Sequence, residues 1–229
     1  NGEVVSTMEV FSSTQDKFTD CLPPLPEPVK WSSMGFLQDS LIHCGGERNA
    51  YQSSTCWILR ANSSEWEEHS RLSNPRSQAA NTVSQDDKLV LFSSYSSFRH
   101  DGHHALTSMQ KVGMSGPENE QQLRVKTSPY SSRLASAVAL SSGEVLIAGG
   151  KTKEKKVFLM RGAQLEDWVT CQDMLHNRIG HAGARVVVAR QEAVLMAGGW
   201  NSQGDAQDSV ELYSLQRNTW SLLPNMPYP

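Results

Sequence analysis

Three segments of the chain share one pattern, an apolar run that closes on Gly-Gly: LIHCGG ending at Gly46, VLIAGG ending at Gly150 and VLMAGG ending at Gly199. The first interval is about twice the second, which places a degenerate copy near residue 95. Residues 88–94 supply it, with the same apolar run and Ser93-Ser94 in place of Gly-Gly, so the marks recur at intervals of 48, 56 and 49. A short alternating run lies upstream of each mark, at 31–37, 76–83, 133–140 and 178–188. A second β-prone run lies downstream, at 55–59, 105–109, 156–160 and 209–213. Trp66, Trp168 and Trp220 then open a further run in three of the copies, followed by turns rich in Leu, Met and Pro. Each period therefore predicts four short strands.

The opening residues fit the second half of this template. Residues 4–11 align with 208–215 as a third strand, Phe18 stands where the Trp stands elsewhere, and Leu22-Pro23-Pro24-Leu25-Pro26 matches the closing turn. The chain thus reads as a half repeat, 1–27, and four whole ones at about 28–73, 74–129, 130–175 and 176–229. A four-stranded antiparallel unit of this size cannot bury both faces alone. It must stack on copies of itself, and stacking around an axis gives a propeller. Residues without Cβ at Gly45-Gly46, Gly149-Gly150 and Gly198-Gly199 let the chain turn tightly and a neighbour approach, while the Trp fills space between sheets.

These residues resemble the kelch repeat, in which an apolar strand ends in Gly-Gly, a Tyr-containing strand follows, and a Trp comes about six residues later. Ser209 to Tyr213, Asn218-Thr219-Trp220 and Leu223-Pro224-Asn225-Met226-Pro227 carry the resemblance best. It implies an all-β fold, a kelch-type β-propeller of four-stranded antiparallel blades forming a single domain, 1–229, with function carried by the loops. About four and a half blades are present, fewer than kelch rings usually hold, so the missing strands of the opening blade are expected upstream of Asn1. The arrangement of Cys21 before a Leu-Pro turn, Cys44 before Gly45-Gly46, and Cys56 looks like that of secreted kelch-repeat proteins of marine invertebrates. Cys44 and Cys56 lie across one hairpin, where a bridge is geometrically open to them; reduced core thiols are the alternative. Cys21 and Cys171 need not meet.

Composition narrows the function classes. The chain has 229 residues, a net charge of −3 and 38% hydrophobic residues, with no basic surplus for a phosphate backbone. Its longest apolar runs are broken by Ser, Gly or Arg, which excludes a membrane-spanning helix. The first residue is Asn1, without a charged-then-apolar leader, which fits either a removed signal segment or a start inside a longer protein. Asn62-Ser63-Ser64 is a glycosylation sequon in a loop between a third and a fourth strand.

Three constellations could carry chemistry. His100, Asp101, His103 and His104 could offer imidazole and carboxylate to a metal, but His103 and His104 point to opposite sides of an extended chain, so a solvated loop is the plainer account and neither metal nor cofactor is expected. Arg76, Arg133 and Arg178 recur near the start of the first strand in three blades, with Trp31 in the other. In the kelch adaptors of ubiquitin ligases, arginines so placed bind acidic peptides; pairing with local carboxylates is the alternative. No G-x-S-x-G, H-E-x-x-H or phosphate-loop signature is present. A copper oxidase on this fold would need Tyr and His ligands from several loops, and nothing ties Tyr51, Tyr95 and Tyr130 together. The expectation is a non-catalytic binding or structural module of the extracellular space with a protein or peptide partner. A cytoplasmic adaptor for acidic peptides is the second reading, and a metal-dependent oxidase the third.

Overall fold

A computed structural model describes residues 6–19, 22–96, 104–117, 121–122, 133–162, 165 and 167–229, the backbone alone at 93–96, 104–108 and 121–122. Among these residues there are strands and turns and no helix. Four sheets follow one another along the chain, each antiparallel and laid down in strand order. The first blade is Ser33–Leu37, Ser40–Cys44, Thr55–Arg60 and Glu67–Arg71. The second is Ala80–Val83, Leu89–Ser96 and His104–Gly113, edged by Gly116–Pro117 and Gln121–Gln122. The third is Ser136–Ala139, Val145–Ala148, Val157–Arg161 and Asp167–Thr170, and the fourth Ala182–Val188, Gln191–Ala197, Val210–Ser214 and Thr219–Leu223. Val10–Ser12 pairs with Lys17–Thr19 as the half blade.

The cores lie between blades. Leu37, Ile42 and Ile58 of the first blade meet Leu89, Leu91 and Val112 of the second. Val90, Phe92 and Met109 meet Val145, Ile147 and Met160 of the third, while Leu146, Ala148 and Leu159 meet Val194, Met196 and Tyr213 of the fourth. Residues 89–92 therefore bury successive side chains on both faces, which explains a continuous apolar run where a half-solvated strand would alternate. Each such Leu, Val or Phe stabilises the fold by about 1.5–3 kcal/mol. Indole groups lock the blade edges: Trp66 Nε1 donates to the Pro23 carbonyl at 3.0 Å and Trp220 Nε1 to that of Gln172 at 2.9 Å, each reaching the closing turn of the preceding unit.

Two backbone devices join the blades. Gly46 N–H donates to the Arg76 carbonyl and Gly150 N–H to the Arg178 carbonyl, both at 2.8 Å, so the second glycine of one blade holds the entry strand of the next. The glycine before it is sterically required: a Cβ at Gly149 would lie 2.7 Å from the Arg178 carbonyl oxygen, and its φ of +69° already favours glycine. The second device is a ladder of left-handed residues, Trp31, Gln78, Leu134 and Gly180, with φ of 57°, 58°, 60° and 65°. Gln78 N–H donates to Trp31 C=O at 2.9 Å, Leu134 to Gln78 at 3.1 Å and Gly180 to Leu134 at 2.8 Å.

Some strand limits differ from the sequence reading. The entry segments at 76–79, 133–135 and 178–181 precede the first strands, because their backbone is spent on the inter-blade bonds. In the half blade, Phe11 pairs with Phe18 as Tyr213 pairs with Trp220, so residues 7–12 match 209–214 and the expected alignment of 4–11 with 208–215 is two residues out. The hairpin fixes this register: the ring centroids lie 5.2 Å apart in the first pair and 4.9 Å in the second. The second blade departs at Ser93-Ser94, where its register shifts, and its outer edge is two short pieces.

Candidate functional site

Consecutive antiparallel strands place the 4–1 and 2–3 connections of every blade on one face and the 1–2 and 3–4 turns on the other. Among the described residues, three exposed large aromatics lie in connections between strands on the first face. Trp31 (47% exposed) is in a 4–1 connection, and Tyr51 (75%) and Trp200 (49%) are in 2–3 connections. Their supports are built. Lys30 Nζ sits 4.3 Å from the centre of the Trp31 ring and 3.2 Å from Glu47 Oε1, holding a cation against the indole. Trp200 exchanges both backbone bonds with Ile179 at 2.9 Å, and its ring covers Gly180, where a Cβ would come within 2.7 Å of Cζ3. Tyr51 sits on a hairpin of its own, Glu47–Arg48 with Tyr51–Gln52. Trp200 and Tyr51 were not legible as a surface, because their common face exists only once strand direction is known.

The arginines do not form one set. Arg76 and Arg178 each stand two residues ahead of a ladder residue, whereas Arg133 stands one ahead of Leu134 and matches Lys30 and Ile179. Arg178 is fully buried and spends its donors inside its own blade. Nε and Nη2 reach Glu211 Oε1 at 3.1 and 2.9 Å, Nη1 the Gly198 carbonyl at 2.9 Å, and Nη2 also Ser209 Oγ at 2.8 Å. Glu211 also accepts the Leu175 and His176 amides. For Arg178 the local carboxylate is thus the partner, as the reading of local pairing had it, and Arg76 and Arg178 are both too buried to present guanidiniums to an acidic peptide. Arg76 is buried as well, and Gln110 takes the place of Glu211, accepting the Ser73 amide at 3.2 Å. Blades one and three have Trp57 and Phe158 at that position and no arginine two residues before Trp31 or Leu134. The buried arginine thus occurs in the two blades that hold a polar residue at this position, Glu211 for Arg178 and Gln110 for Arg76.

Cys44 and Cys56 lie directly opposite on neighbouring strands and form a disulfide with a Cα–Cα distance of 4.1 Å. They replace the apolar pairs that other blades hold there, such as Ala148 with Val157. Cys171 is free, and Cys21 lies outside the described residues. His100, Asp101 and His103 also lie outside them, and of His104 only the backbone is described. Among the described residues no three His, Cys, Asp or Glu side chains gather as metal ligands. Two histidines are buried instead. Burial lowers His43 to about 4, and burial aided by the Arg178 charge lowers His181 to about 3.

The inner strands of blades two to four line a cleft of about 410 Å³ along 82–85, 137–140 and 183–185. Its polar groups tie blades together: Thr82 Oγ1 accepts Ala139 N–H at 3.1 Å, Gln85 Nε2 donates to the Leu140 and Ser141 carbonyls, and Ser141 Oγ donates to Glu192 at 2.9 Å. Each of these bonds joins one blade to the next.

Residues 184–227, most of the fourth blade, match the kelch motif family. No curated protein sequence matches the chain. Among solved structures, YjhT is similar over 91% of this chain and 69% of its own, with a TM-score of 0.71 at 13% identity. At that identity the likeness is one of fold. The fourth blade is a kelch motif, and the protein has the fold of a kelch-type β-propeller with partial blades. No helix among the described residues is long and apolar enough to cross a membrane.

Proposed function

We propose that the protein is a non-catalytic binding or structural module of the extracellular space, and that it takes a protein or peptide on the face bearing Trp31, Tyr51 and Trp200. The propeller fold supports a binding or scaffold role in general, since it holds loops rigidly and leaves their side chains to vary. The observation that carries the choice of face is the exposure of Trp31 on the ladder, Trp200 against Gly180 and Tyr51 on its own hairpin. Aromatic anchors on preorganised backbone bury large area at small entropic cost, which is why they dominate interface energetics. The disulfide supports an oxidising compartment. The acidic-peptide adaptor reading loses support because Arg178 is already neutralised by Glu211.

The test is a Trp31→Ser, Trp200→Ser variant probed for binding to matrix proteins of the source tissue. Loss of hot-spot aromatics lowers affinity about 30-fold or more. Val187→Ser, which removes an exposed apolar side chain from the opposite side of the fourth blade, should leave binding unchanged. Equal loss in both variants would refute the choice of face.

A further inference from the structure

We propose that Asn62 carries an N-linked glycan, and that the sugar marks the face opposite the binding loops. The inference rests on the extracellular reading above. Among the ten Asn of the chain, Asn62 alone heads an Asn-x-Ser/Thr triplet with a residue other than Pro in the middle. A sequon is only an address, and its use also asks that the amide and the +2 hydroxyl both be reachable.

The structure supplies that geometry. Asn62 lies in the turn between Thr55–Arg60 and Glu67–Arg71, with a left-handed φ of 65°, and both it and Ser64 are exposed. The turn is held by other groups. Ser63 N–H donates to the Arg60 carbonyl at 3.0 Å, and Ser63 Oγ donates to the Glu65 carbonyl at 2.8 Å. The middle residue of the triplet therefore shapes the turn, while the two residues an oligosaccharyl-transferring enzyme reads, Asn62 and Ser64, have no side-chain hydrogen bond among the described residues. The same turn flanks a groove of about 420 Å³ lined by Leu22, Phe36, Leu41 and Leu59 as well as Asn62. Phe36 is 60% exposed there, and the first sugars of a glycan would cover an apolar surface of the kind that otherwise invites association.

Two further features agree. The Cys44–Cys56 bridge lies in this same blade, and a disulfide is in keeping with the oxidising compartment in which such an acceptor is used. A 3–4 turn belongs to the side away from Trp31, Tyr51 and Trp200, so a bulky glycan there leaves the binding face open. The attachment forms a bond between the Asn62 amide nitrogen and the sugar's anomeric carbon; the lipid-pyrophosphate carrier leaves from that carbon and the amide proton is lost.

The experiment uses protein from its natural source, digested with an N-glycosidase in heavy-oxygen water and mapped together with the cysteine peptides. The expected result is labelled conversion of Asn62 to aspartate in a protein whose Cys44 and Cys56 peptides are linked. Linked cysteines with an unmodified Asn62 peptide would overturn the site and leave the extracellular reading standing. Free thiols with unmodified Asn62 would overturn both. In secreting eukaryotic cells, Asn62→Gln and Ser64→Ala should each abolish the glycosidase-sensitive shift in mobility. Both positions are exposed, so these variants fold; a shift that survives either of them would also overturn the assignment.

Discussion

Removing the charge partner of Glu211 is the sharpest perturbation the structure allows. Glu211 is fully buried and accepts from the Leu175 amide at 2.7 Å, the His176 amide at 3.1 Å and Arg178 at 2.9 Å. Arg178→Leu keeps the two amides and His176 Nδ1, 3.2 Å from Oε1, on the carboxylate but removes the guanidinium that neutralises a fully buried charge, which costs about 3–5 kcal/mol. Glu211→Leu leaves the guanidinium with the Gly198 carbonyl and Ser209 Oγ alone, a cost in the same range, and in addition orphans the Leu175 and His176 amides. The double variant carries no buried charge. Its remaining cost is the two orphaned amides, at about 1–3 kcal/mol each. The single losses would therefore exceed the double by about 2 kcal/mol or more, a coupling far outside the additivity expected of independent sites. Urea unfolding followed by tryptophan fluorescence, with the four proteins compared at one temperature, measures it. A coupling below about 0.5 kcal/mol would refute the claim that the arginine is held by this carboxylate.

Other expectations follow from the same structure. Cys44→Ala with Cys56→Val installs the residue pair of blade three and removes only the covalent link across a loop of sequence separation 12, so it should cost about 3 kcal/mol; an unchanged unfolding midpoint would count against a formed bridge. Gly149→Ala puts a methyl against the Arg178 carbonyl and the His181 ring at positive φ, whereas Gly204→Ala meets nothing within 4 Å, so the first should lower stability by at least about 2 kcal/mol more than the second. His43 and His181 are neutral in the folded protein. Above pH about 6.5 they are neutral in the unfolded chain too; below it only the unfolded chain takes up protons, so each residue removes about 1.4 kcal/mol of stability per pH unit down to its folded value of about 4 or 3. His43→Leu should flatten the fall of Tm between pH 7 and pH 5, and an unaltered slope would show that His43 is solvated.

The blades were legible because their signal is local and repeated. An apolar run closing on Gly-Gly fixes where a second strand ends, and the Trp that follows fixes the fourth, as Gly149-Gly150 and Trp168 show. The paired cysteines were legible as a hairpin pair for the same reason. What sequence could not resolve was register: one residue of offset separates Arg133 from Arg76 and Arg178, and only the inter-blade ladder through Leu134 reveals it. Burial was equally hidden. An arginine written beside a first strand reads as a surface group, and its internal partner Glu211 lies 33 residues further on, in a different strand. The aromatic face was invisible for a topological reason, since Trp31, Tyr51 and Trp200 come from different connections and share a side only through strand direction.

Lysines distributed over the two faces give the most direct test of that surface. Lys30, Lys151 and Lys153 lie in 4–1 or 2–3 connections, while Lys88 lies beside a 1–2 turn. Lysine-reactive cross-linking of the native protein in its source tissue, read by peptide mass spectrometry, should join partner peptides to the first three and leave Lys88 unlinked. Partner cross-links concentrated on Lys88 would contradict the account.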